Sequence, residues 1–146
     1  MDHVPARGAI TMPTPIILTL PYPAPRNTSQ DRHWSVRYKR VQAYYERCDY
    51  ALLMQRVPVP DVPHPAVWAA AVVYPRGYSD EDGLMARLKP LIDWCVRAGF
   101  VEDDRPRSWR WESVPGQHVQ RREAAHVVLS LTPRRQYHDP YPVRPL

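Results

Sequence analysis

Ala66–Gly99 reads AVWAAAVVYPRGYSDEDGLMARLKPLIDWCVRAG, and the fold depends on how this stretch divides. Its first third, Ala66–Tyr74, is apolar at both alternating sets of positions, the pattern of a central strand covered on both sheet faces. The bounding Pro65 and Pro75 favour a strand over a short buried helix. Pro75-Arg76-Gly77 ends the strand. A helix is expected from about Gly83 to Ala98, closed by Gly99 as its C-terminal cap. Pro90 lies inside it, where a kink or a new first turn is expected. At about 100° per residue, Asp82, Ala86, Lys89 and Asp93 share one narrow stripe of this helix. Leu84, Leu88, Leu91, Ile92 and Cys95 lie opposite and form its core face.

Upstream, Pro15–Leu20 predicts a first strand, stopped by Pro21-Tyr22-Pro23. A polar loop over Arg26–His33 follows. From Ser35, a candidate N-cap, Val41, Tyr44, Tyr45, Cys48 and Leu52 fall on one helical face. This first helix should end near Arg56, before a proline-rich loop from Val57 to Pro65. Downstream, Ser108–Val114 and Ala124–Leu131 alternate like two strands joined by a loop around Gly116. The expected order is β-α-β-α-β-β, a single α/β (α+β) domain with a mixed sheet packed against two helices. Residues 1–14 read as a flexible arm, 15–132 as the domain, and 133–146 as a Pro/Arg-rich tail. A chain of 146 residues suits one domain with a real core.

The composition, 44% hydrophobic and 24% charged, is that of a soluble globular protein. A net charge of +5 and a pI near 9.5 point to an anionic partner. Lys39 and Lys89 are the only lysines, so arginine carries the positive charge. Arginine is the better fork for phosphate oxygens, although arginine-rich codon usage explains the bias equally well. Cys48 and Cys95 match neither a disulfide framework nor a zinc spacing. Ile16–Leu20 is too short for a signal-peptide core or a membrane span. The expectation is a reduced, soluble, cytoplasmic protein with no membrane association.

Acidic residues gather in two places: Asp80, Glu81 and Asp82 after the central strand, and Glu102, Asp103 and Asp104 after the second helix. Clustered carboxylates repel one another and any phosphate unless a cation joins them. Magnesium prefers a few such hard oxygens together with water and phosphate oxygens. If the chain is still extended at Asp80, then Asp80 and Asp82 project to one side as a two-pronged ligand. Lys89 and Asp93, taken alone, read better as a surface ion pair, worth a few tenths of a kcal/mol, although their stripe points back to the Asp80-x-Asp82 end. The acidic clusters could equally be two solvated turns, so both readings stand open on these grounds.

The segment Asp80–Asp104, with Asp80-x-Asp82, Lys89, Asp93, Ala98-Gly99 and Asp103-Asp104, resembles the RusA-type Holliday junction resolvases, particularly phage-borne forms. Leu20-Pro-Tyr-Pro23 resembles the exit of that family's first strand. Asp31-Arg-His-Trp34 resembles the start of its first helix. The likeness covers roughly Pro15–Thr132 in element order and is specific between Asp80 and Asp104. The chain departs from the pattern at Gly83, where the family has asparagine. It also has a longer spacing from Asp82 to Lys89 than the shortest members, and only Arg76 in the stretch where the family often has several arginines.

The resemblance implies a homodimeric, Mg²⁺-dependent (Mn²⁺ also possible) endonuclease that cuts branched, four-way DNA junctions in recombination and repair. Carried over by position, Asp80, Asp82 and Asp104 are the metal ligands, and Lys89 assists catalysis. Arg76, Arg87, Arg105, Arg107 and Arg110 flank the acidic residues and are the candidate DNA-binding groups. Trp109 and Trp111 alternate onto one strand face; a core or dimer role is favoured for them over stacking on bases. A non-catalytic protein of the same fold that binds branched nucleic acid is the alternative, kept alive by Gly83.

Overall fold

The computed structural model describes residues 13–24 and 34–135. The chain runs β1 (Ile16–Pro21), α1 (Trp34–Gln55), β2 (Val67–Tyr74), α2 (Glu81–Ala98), β3 (Trp109–Trp111), β4 (Gly116–Gln117) and β5 (His126–Pro133). The expected mixed sheet with two helices is present as a single α+β domain, with five strands in place of four. The order across the sheet is β1-β5-β2-β3, and β4 also pairs with β2.

β5 runs antiparallel to both β1 and β2 and lies between them. β3 and β4 run parallel to β2, at Val67–Ala69 and Val72–Val73 respectively, so they act as one edge strand interrupted over residues 112–115. The last two expected strands therefore do not pair with each other, and Gly116 lies in β4 rather than in a loop joining them. The physical reason is the core register. Leu18 faces Leu129, Leu20 faces Val127, and Ala69 faces Leu131, and all six are buried. A hairpin with the three-residue β3 would pair only part of the eight-residue β5.

Each crossover, β1-α1-β2 and β2-α2-β3, joins parallel strands and steps the same way across the sheet. The usual right-handed crossover then puts both helices on one face. Tyr44 and Cys48 of α1, and Leu84, Leu88, Leu91, Ile92, Trp94 and Cys95 of α2, join the inward strand rows in one cluster. Each fully buried leucine is worth about 1.5–3 kcal/mol. The other sheet face is more open. Trp68 and Ile17 are exposed there, and Ala70, Val72, Val128 and Ser130 are half-buried. The expectation that β2 is covered on both sides fails for this reason: its alanines and valines are apolar on both faces, but only one face has helices.

Polar ties fix α1 to its neighbours. The Gln55 side chain accepts from Thr19 N–H and donates to Thr19 O, both at 2.7 Å, completing the β1 edge. Tyr44 donates to Pro21 O at 2.7 Å. Trp94 of α2 donates from Nε1 to Asp49 of α1 at 2.8 Å. Cys48 and Cys95 are free and buried. Burial pushes the Cys48 thiol up to about 12 and raises that of Cys95 as well.

α1 begins by Trp34, so Ser35 lies inside it and is not its cap. α2 begins two residues before the expected start, continues through Pro90 and ends where Gly99 predicts. The sequence-derived arm (apart from residues 13 and 14), the Arg26–His33 loop and the tail beyond residue 135 lie outside the described residues. Among the described residues, no helix is long and apolar enough to cross a membrane.

Candidate active site

Asp80 is the N-cap of α2, with extended backbone at φ −66° and ψ 168°. Its Oδ1 accepts the Gly83 N–H at 2.7 Å, satisfying one of the donors left open at a helix start. Glu81 and Asp82 occupy the first turn, where the helix dipole favours negative charge. The alternation expected of an extended Asp80-x-Asp82 is thus broken, because the helix has begun by Glu81 and turns Asp82 about 100° per residue. A Cβ at position 83 would stand 2.7 Å from Asp80 Oδ1. A side chain at position 83 would require the Asp80 carboxylate to shift.

The loop that delivers Asp80 is held from the sheet edge. Gln117 of β4 accepts from Ser79 N–H at 3.0 Å and donates to Ser79 O at 2.8 Å. Beside it, Gln120 N–H donates to Pro75 O at 3.0 Å. Tyr74, at the end of β2, stacks on His126 and His118, with ring centroids 4.7 and 5.7 Å away. Sequence reasoning did not single out Gln117. Its only signal is a glutamine in a short run after Gly116, which has meaning once β4 is seen to pair beside β2.

Lys89 stands on the stripe of α2 opposite its buried leucines. Its Nζ donates to Asp104 Oδ2 and lies 3.1 Å from Asp93. Asp104 reaches it because Gly99 reverses the chain with φ 94°, donating its N–H to Val96 O. Phe100 and Val101 then anchor that chain in the core. His64 pairs with Val101 across a parallel bridge, with Glu102 N–H donating to His64 O at 2.9 Å. Asp103 turns back to accept Asp104 N–H at 2.8 Å. Hydrogen bonding to Lys89 and Asp103 holds the Asp104 carboxyl below its ordinary range. Burial works to lower the Lys89 ammonium, but its hydrogen bonds to Asp104 and Asp93 outweigh this and raise it. Both groups are therefore charged at neutral pH.

The candidate metal ligands suit a hard divalent cation by chemistry, being all carboxylate oxygen. Asp82 is exposed. Asp80 and Asp104 each have a second oxygen beyond the contacts to Gly83 and Lys89. They are not gathered: among the described residues, no three His, Cys, Asp or Glu side chains are grouped to hold a metal ion. Asp82 and Lys89 are seven residues apart on α2, about 10 Å along its axis.

The candidate DNA-binding arginines do not form one group. Arg76 is exposed on the turn after β2. Arg87 is committed to the scaffold: its Nε donates to Pro23 O at 2.5 Å and its guanidinium lies 3.9 Å over the Tyr22 ring. Arg105 and Arg107 both approach Asp103, at 3.6 and 3.4 Å. Arg110 is half-buried in β3. Trp109 is buried and meets the half-buried Trp111 edge-on at 5.4 Å, in keeping with the favoured core role. No α1 residue was among the sequence-derived candidates. Yet Arg37, Arg40 and Arg47 line a cavity of about 220 Å³ together with Lys89, Pro90 and Asp93. The available signal was helical phase, since all three flank the apolar face of Val41, Tyr44 and Cys48.

No protein-family model matches the chain, and no curated protein matches it.

Proposed function

We propose that this protein is a divalent-cation-dependent endodeoxyribonuclease that hydrolyses phosphodiester bonds in branched DNA, as a RusA-type resolvase does. The observation that carries the reading is the meeting of Lys89 with Asp104 across 15 residues of sequence, on the same α2 stripe that begins at Asp82. Asp80, Asp82 and Asp104 would hold Mg²⁺ or Mn²⁺. Bound there, the cation would lower the pKa of a water and offset charge on the attacked phosphate.

The chain's own residues do the rest. Lys89, charged at neutral pH, donates to a non-bridging phosphate oxygen as negative charge grows there. Asp104 and Asp93 hold that ammonium in place beforehand. Gln117 and the Asp80 cap fix where α2 starts, and so where Asp82 projects. The water oxygen bonds to phosphorus, one P–O ester bond breaks, and the departing sugar oxygen takes the electron pair and a proton. Paired cuts in a four-way junction require two sites related by a two-fold axis, so the working form is a homodimer. The exposed sheet face around Ile17 and Trp68 is apolar enough to supply its interface. The cellular setting is the cytoplasm of a bacterium or phage-infected host, in recombination or repair.

One observation favours a second reading. Asp80 is engaged as a helix cap, as suits a non-catalytic protein that binds branched nucleic acid. A nicking assay on a synthetic four-way junction, with Mg²⁺ and with chelator, separates the two. Symmetric nicks that need Mg²⁺ support the enzyme. Tight junction binding with intact strands supports the binding protein.

A further inference from the structure

We propose that the groove between α1 and α2 is a phosphodiester track, in which Arg37 and Arg47 grip a nucleic-acid strand and lead it to Lys89. The inference rests on the reading of the protein as one that acts on nucleic acid, and it adds a site that this reading does not contain. The groove is formed where α1 passes α2. Its lining joins Pro23 and Ala24 after β1, the arginine flank of α1, and Lys89, Pro90 and Asp93 of α2.

Charge selects the ligand class. Among the described lining residues, Asp93 is the one carboxylate; Lys89 is taken up by Asp93, 3.1 Å away, and by Asp104, so the positive charge facing a ligand is that of Arg37 and Arg47. Arg37 and Arg47 are exposed. The remaining wall is apolar, from Val41, Ala43 and Tyr44, and Tyr44 is tied to Pro21 O. That wall fixes the arginine stems without competing for an anion.

Size and spacing select a strand over a single ion. About 220 Å³ is far more than the roughly 10–15 Å³ that a single bound water needs. Arg37 and Arg47 are ten residues apart on a continuous helix, about 15 Å along its axis. That is the rise of about four nucleotides at about 3.4 Å each. Because Lys89 lines the groove and also bonds Asp104, a strand held by the arginines ends at the proposed chemistry.

The test is binding without turnover. Anisotropy of a labelled four-way junction, a single strand of DNA and an RNA strand is followed against salt in chelator, for the wild type and two double variants. Arg37→Gln/Arg47→Gln removes two groove charges. Arg56→Gln/Arg135→Gln removes two exposed charges elsewhere and is the control. Arg47→Glu, on an exposed position, is the second groove variant, and thermal melts confirm folding.

The expected result is a tenfold or greater loss for the groove double at moderate salt. Its log K against log salt should lose about two units of slope, near 0.9 per lost contact. Arg47→Glu, the same charge change placed at one position, should weaken binding by a comparable factor, and the control should stay within about half of that slope change. Equal loss in the groove and control doubles overturns the proposal, as does wild-type binding by folded groove variants. Preference for polyglutamate over all three nucleic acids also overturns it, in favour of an acidic protein partner. Groove-dependent binding by a wild type that never cuts leaves the track standing and removes the nuclease reading. Cutting by a wild type whose groove variants bind normally does the reverse.

Discussion

The two acidic ends of the candidate site are built by different means. Near Asp80 and Asp82, the arrangement is local: a cap bond spans three residues, and the first helical turn carries its usual acids. Near Lys89 and Asp104, the arrangement is tertiary: a lysine in mid-helix meets a carboxylate 15 residues on. That carboxylate is brought back by Gly99, the buried Phe100 and Val101, and the bridge to His64. The first end would form in almost any α2 with this sequence. The second forms only in this fold. Turns and caps collect acids for local reasons, whereas the Lys89–Asp104 contact needs the chain between them to fold back.

Removing a carboxylate from either end should have the largest effect if both serve one reaction. Asp82→Asn and Asp104→Asn should abolish Mg²⁺-dependent nicking while leaving melts near wild type. Junction binding in low salt without metal should persist or tighten, because a charge repelling the backbone is gone. Asp103→Asn keeps the Oδ1 acceptor for Asp104 N–H and should be milder. Wild-type nicking by folded Asp82→Asn and Asp104→Asn would end the enzyme reading and reduce both ends to solvated turns.

Next in size is the lysine. Lys89→Ala should fold normally, since its stripe is not the core face, and should nick about a hundredfold more slowly, the usual loss for one transition-state donor. Unchanged turnover would make the Lys89–Asp104 pair a surface ion pair like many others.

A smaller effect separates the two roles of Asp80. Asp80→Ala removes a cap and should cost about 1 kcal/mol, or roughly 3 °C in melting temperature for a chain of this size. Asp80→Ser keeps a cap acceptor and should restore most of that stability. If Asp80→Ser also restores nicking, Asp80 is a cap alone and the local end contributes no ligand.

The smallest effect is in acid. The Asp104 carboxyl is lowered in the folded protein, mainly by its bond to Lys89. Its stabilising contribution is therefore present above the ordinary carboxylate value of 3.8 and lost as pH falls through the lowered folded value. The melting temperatures of wild type and Lys89→Ala should converge in that window, and a gap that widens in acid would contradict the assigned pair.

Much of this was legible in the chain. The apolar run of β2, the leucine stripe of α2 and its stop at Gly99 follow from periodicity and local sterics, as does the opposed stripe carrying Lys89. The pairing partners of the later strands were not legible, because alternation says which face a residue takes and not which strand lies beside it. Gln117 was invisible for the same reason, since its two bonds to Ser79 exist only once β4 lies along β2.

By itself, the sequence determined the elements that depend on near neighbours: two amphipathic helices, an apolar central strand, a cap at Asp80 and a reversal at Gly99. The tertiary structure decided the rest, because those outcomes depend on contacts between residues far apart in the chain. It inserted β5 between β1 and β2, put both helices on one face and committed Arg87 to Tyr22 and Pro23. It also brought Asp104 to Lys89 and set three arginines of α1 in the lining of a cavity that this lysine shares.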